Sequence, residues 1–273
     1  MSSRVRRGLV AAVIVLVVAV GGAFGVRALW NAAKGHFTAD GCSVGSYDVD
    51  TSQAAVASTM VGVVTQRALP ERAAVLVLAA ALQESKLRNL PPGAGDRDSV
   101  GVLQQRPSQG WGGGDATALT DVLEATKEFL DHLVSVQGWQ ALPLAVAVQE
   151  VQVSADGSAY AQHESEAQAL SDALTGKLPA AITCSFGKPT VVAAVATVAN
   201  QLSRDLPVHA PTTAELTVRV PGGSWQTAAW FVANADRLGI DKVAYAAKQW
   251  TRAKGWKPAT ASATAVVATM FHK

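Results

Sequence analysis

Apolar residues recur at helical spacing through most of the first two hundred positions. Asp50 or Thr51 can cap a helix running to about residue 68, with Val56, Met60, Val63 and Val64 on one face. A second helix is predicted over 70–87. Pro70 and Glu71 suit its first turn, since proline lacks only a donor that would be orphaned there and an acid favours the positive helix end. Residues 73–82 are Ala, Val and Leu without interruption, so this helix belongs inside the domain. The stretch 89–99 carries Pro91-Pro92-Gly93 and Asp96-Arg97-Asp98 and reads as a loop. An amphipathic helix over 117–136 follows through Leu119, Val122, Leu123, Phe129, Leu130 and Leu133; further helices are predicted over 142–153 and 158–174, the last stopped by Gly176 and Pro179. No period-two alternation stands out before residue 187, and this part reads as nearly all helical.

Lys188-Pro189 marks a boundary. Beyond it a helix is expected over 190–205 and a strand over 216–220, stopped by Pro221-Gly222-Gly223. Ser224 can cap a helix over 225–238 that Gly239 ends, and strands are expected over 242–246 and 264–270. The expected fold is mainly α: a helical domain over 45–187 and a small α+β domain over 188–273, with a linker over 31–44 and a membrane anchor within 1–30.

The anchor is inferred from the front of the chain. Arg4, Arg6 and Arg7 precede an uncharged run over 8–26, closed by Arg27. As a helix it would be about 28 Å long, close to the hydrocarbon thickness of a bilayer. The competing reading is a cleaved signal peptide, for which Ala23-Phe24-Gly25 is a weak site, and the uncleaved anchor is preferred. Either way the arginines stay cytoplasmic and residues after about 30 lie outside. The two cysteines, Cys42 and Cys184, both fall in that outer part, where a disulfide is the default.

Composition narrows the classes. The 273 residues are 49% hydrophobic with a net charge of +2, and no basic stripe with interleaved aromatics appears, so nucleic acid is not an expected partner. The five histidines show no zinc-binding spacing, no nucleophile elbow is present, and the glycines at 110 and 112–114 lack the strand and Lys-Ser/Thr of a phosphate loop. No cofactor or metal is expected.

The candidate chemistry sits where the apolar helix ends, at Glu84 and Ser85. A carboxyl there, part-buried against apolar neighbours, can be kept neutral and serve as a general acid; the competing reading is a solvated charge in a last turn. The segment 81–89, Ala-Leu-Gln-Glu-Ser-Lys-Leu-Arg-Asn, and the segment 95–111 with Gly101-Val102-Leu103-Gln104 resemble the lysozyme-like, lytic-transglycosylase-related domain of exported actinobacterial proteins. In that superfamily a glutamate followed by serine ends a central helix, and a Gly-Leu-Met-Gln type segment follows a short loop. The segment 147–152 and Ala159-Tyr160-Ala161 resemble its later cleft-lining helix. The resemblance implies cleavage of peptidoglycan glycan strands, with Glu84 protonating the scissile glycosidic oxygen. It further implies substrate contacts from Ser85, Gln104, Gln105, Gln149 and Tyr160.

A hydrolase would want a second carboxylate, for which Asp96 and Asp98 are the nearby candidates, although Asp-Arg-Asp also reads as a self-supporting turn. A lytic transglycosylase needs none, because the substrate's own hydroxyl attacks. The superfamily's later Ala-Tyr-Asn type signature is Ala147-Val148-Gln149 here, with no tyrosine at 148. Trp111 and Trp139 can stack on sugars or fill space, and Trp225, Trp230, Trp250 and Trp256 are expected in a core. The last domain loosely resembles modules of metal-dependent cell-wall peptidases without their His-x-His strand, and is expected to bind wall or a protein partner. The alternative for the whole protein is a non-catalytic peptidoglycan-binding or scaffold subunit of a wall-assembly or secretion system.

Overall fold

The computed structural model describes residues 40–154, 156–261 and 264–272. The run over 8–26, its flanking arginines, the linker residues before 40 and His36 lie outside the described residues. Among the described residues no helix is long and apolar enough to cross a membrane.

The chain starts its described course in a strand. β1 (Gly41–Val44) and β2 (Tyr47–Val49) form a hairpin, and β3 (Ile182–Ser185) joins the other side of β1, giving an antiparallel sheet of order β2-β1-β3. Cys42 stands directly opposite Cys184 in this register, and the two form a disulfide. Between β2 and β3 lie six helices. α1 (Thr51–Gln66) is capped by a box between Asp50 and Gln53, and α2 (Glu71–Ser85) runs through the middle with residues 73–82 all buried. α3 (Ala116–Leu119) and α4 (Val122–Ser135) divide the segment expected as one helix, because Asp121 accepts from the Leu123 amide and restarts it. α5 (Leu144–Gln152) and α6 (Glu164–Leu174) close the group, with a 3-10 stretch over Gly157–His163 between them.

The second sheet is larger. After α7 (Val195–Asp205) come β4 (Thr212–Ala214) and β5 (Thr217–Pro221), then α8 (Trp225–Ala233) and α9 (Ala235–Leu238). β6 (Ile240–Tyr245), β7 (Lys248–Thr251), β8 (Gly255–Pro258) and β9 (Ala265–Met270) complete an antiparallel sheet of order β4-β5-β9-β6-β7-β8. α8 begins at the Ser224–Thr227 capping box and packs on the sheet's inner face. The helix expected over 225–238 breaks at Asn234, whose buried amide donates to Ser58 Oγ and the Trp230 carbonyl.

Two antiparallel sheets, one of them six-stranded, overturn the expectation of a mainly α protein built from a lysozyme-like helical domain and a small α+β domain. β1, β2 and β3 have only three or four residues each, too few for alternation to register, and β3 finds its partner far back along the chain. Residues 40–273 pack as one compact unit around a single continuous core. The free edge of β3 is met by the far sheet: Trp256 Nε1 donates to the Ile182 carbonyl at 2.9 Å, and Trp250 Nε1 to that of Cys184 at 3.1 Å. Trp230 and Trp250 are fully buried, and Trp225 stacks edge-on against Trp256 and Tyr245.

Candidate active site

The site begins with the way α2 stops. Lys86 and Leu87 both adopt left-handed backbone, with Lys86 N donating to Leu82 O and Leu87 N to Ala81 O, so the last carbonyls are satisfied without a glycine. Leu87 turns back into the core, at 1% exposure. This sharp stop leaves Glu84 half-buried in the final turn.

The loop that follows is folded against that turn. Short bridges pair Leu90 with Gly101 and Val100 with Gln105. Gly101 has φ +76, and a Cβ there would meet the Leu119 carbonyl oxygen at 2.2 Å, so only glycine fits. Ser85 fastens helix to loop: its hydroxyl donates to Val102 O at 2.7 Å, near Ala81 O at 3.2 Å, and accepts from the Arg88 amide. Glu84, Gly95, Asp96, Gln104, Trp111 and Gln152 are among the residues lining the resulting cleft of about 740 Å³.

From the core, outside the lining of the cleft, the Tyr160 hydroxyl donates to Glu84 Oε1 at 2.5 Å. Gln152 supplies a second hydrogen bond to the same carboxyl and also donates to Leu103 O at 2.9 Å. Burial is the largest influence on Glu84 and raises its pKa above the ordinary glutamate value, and the two hydrogen bonds pull the other way without cancelling it. Tyr160, fully buried, is pushed above the ordinary phenol range, first by burial and then by its bond to Glu84, so it stays a donor.

The remaining candidates divide. Gln104 lines the cleft with φ +48, its Nε2 donating to Gly101 O at 2.9 Å. Gln105 also lines it but is buried, its Nε2 donating at 3.3 Å to Ala125 O and its Oε1 without a partner among the described residues. Gln149 bonds to Ser154 through both ends of its amide and does not line the cleft. Ser85 and Tyr160 are occupied with loop and carboxyl respectively. Asp98 is held well below the usual carboxylate range by hydrogen bonds from Ser108 and then Arg106 Nε, which locks the loop. Asp96 lines the cleft at 92% side-chain exposure, with Arg97 4.0 Å away. Trp111 lines the cleft and packs on His132, ring centroids 4.4 Å apart, whereas Trp139 is in the core.

Gln152 was not singled out by the sequence reading. It closes the segment 147–152 that resembles the cleft-lining helix, and that segment carries the signal for it. Val148, where the resemblance would put a tyrosine, is buried, and the tyrosine that meets Glu84 is Tyr160 from the 3-10 stretch. Among the described residues no three His, Cys, Asp or Glu side chains gather so as to hold a metal ion. Compared with known proteins, the sequence matches no protein-family model and no curated protein.

Proposed function

We propose that the cleft cleaves the β-1,4 glycan strand of peptidoglycan, with Glu84 as general acid. The observation that carries this reading is a carboxyl whose protonated form burial favours, at the base of an open cleft, with one oxygen fixed by a tyrosine that does not ionise. With Oε1 accepting from Tyr160, the acidic proton belongs on Oε2, which gives it to the leaving oxygen as the glycosidic bond breaks. The resemblance of residues 81–89 and 95–111 to lytic-transglycosylase-related proteins supports the same substrate.

The surroundings favour intramolecular attack over hydrolysis. Asp98 is committed to Ser108 and Arg106, and Asp96 projects into solvent, so neither is a good nucleophile or base across the sugar. In the transglycosylase route the sugar's own hydroxyl attacks its anomeric carbon and returns a proton to the Glu84 carboxylate, leaving an anhydro end. The Cys42–Cys184 bridge supports an extracytoplasmic location.

Purified peptidoglycan incubated with the protein tests this. Anhydro muropeptides are expected, and Glu84→Gln should lower their release by about two to four orders of magnitude. Reducing ends would make it a hydrolase. No release, with sacculus binding unchanged by Glu84→Gln, would leave a glycan binder and overturn the enzymatic reading.

A further inference from the structure

The six-stranded sheet has one face in the core. Val218, Ala268, Val243 and Trp250 stand opposite one another across β5, β9, β6 and β7 and are all fully buried. Alternate positions point the other way. One outward row runs Arg219, Val267, Ala244, Gln249, Lys257 across β5, β9, β6, β7 and β8. Four strand spacings put its two cations about 19 Å apart. In the neighbouring row Lys242 is flanked by Thr269 and Thr251. Neither row holds an acid or an aromatic ring, and all three cations are exposed. Lys242 has only its chain neighbour Asp241, at 3.8 Å, and Arg219 and Lys257 enter no ion pair among the described residues.

We propose that this face binds an extended anionic polysaccharide. Small neutral side chains between the cations leave a strip without bulky groups that a chain molecule can cross, and the threonine hydroxyls and the Gln249 amide suit sugar hydroxyls. Neutral glycans and single-stranded nucleic acids lean on aromatic rings, and there are none. A protein partner would need large apolar or aromatic anchors, and an inserted membrane contact would need Trp, Phe or Leu; the strip offers neither. Charge complementarity with a polyanion remains. None of these residues lines the Glu84 cleft, so the surface stands independently of the chemistry there.

The test is binding of the full chain to polygalacturonate, with neutral dextran and vesicles of phosphatidylcholine with about 30% phosphatidylserine as comparisons. Polygalacturonate should bind and dextran should not. Replacing Arg219, Lys242 and Lys257 together by glutamine should weaken binding about tenfold or more and flatten its log–log salt dependence by about 2 to 3. Glu84→Gln should bind as the unaltered protein does. Should the triple variant melt early, the single reversal Lys242→Glu at an exposed site must weaken binding in the same direction. No binding to polygalacturonate, binding indifferent to these substitutions, equal binding of dextran, or vesicle binding that the triple substitution weakens more than it weakens polygalacturonate binding would each overturn the proposal.

Discussion

Glu84 sits half-buried in the last turn of α2 with one oxygen held by Tyr160. Burial makes its carboxyl harder to ionise than an ordinary glutamate's, so ionisation costs the folded protein near neutral pH a penalty that is absent in acid. The direction of the linkage follows: stability from this group is undiminished below the ordinary glutamate range and falls as pH rises through the raised pKa. Glu84→Gln should therefore raise the melting midpoint near neutral pH, with the gain closing on acidification, as thermal scans across pH would show. In the unaltered protein activity should fall on the alkaline side as Glu84 ionises. Tyr160→Phe removes a bond that lowers this pKa, so it should move the alkaline limb of the pH profile upward, cut turnover by about tenfold, and cost about 1 kcal/mol of stability.

Long elements were readable from the sequence because burial imposes a period. The unbroken apolar run of α2 and the patterned α1 and α4 came from that signal, with ends shifted by caps such as Asp121. The three-residue and four-residue strands carried too few positions to register, and the contact between Glu84 and Tyr160 joins residues 76 apart, which no local pattern encodes. The loop after α2 shows in the sequence through Pro91, Pro92 and Gly93, but its fastening by Ser85 does not. That fastening makes an element-level prediction. Ser85→Ala should cost about 1 to 2 kcal/mol by releasing the loop from the helix end. Gly101→Ala, driven into the Leu119 carbonyl, should cost about 2 kcal/mol or more, whereas Gly113→Ala, with open space around it, should cost about 1. Urea unfolding of the three variants orders them.

At the scale of the molecule, one covalent bond staples the small sheet and two indoles tie it to the large one. The Cys42–Cys184 bridge closes a loop with a sequence separation of 142. In a chain-entropy account such a loop adds about 5 kcal/mol. Reductant should lower the urea midpoint accordingly, and the double replacement of both cysteines by alanine should reproduce the loss and abolish the effect of reductant.

The bridge also decides where mechanical tension travels. A pull applied to the chain at Asp40 passes into Cys42, crosses the sulfurs to Cys184, and continues through β3 and its hydrogen-bonded tryptophans into the six-stranded sheet. Every residue lining the Glu84 cleft lies inside the closed loop between the two cysteines, off that path. The protein can be held taut between its leading end and its outer sheet while the cleft bears no load.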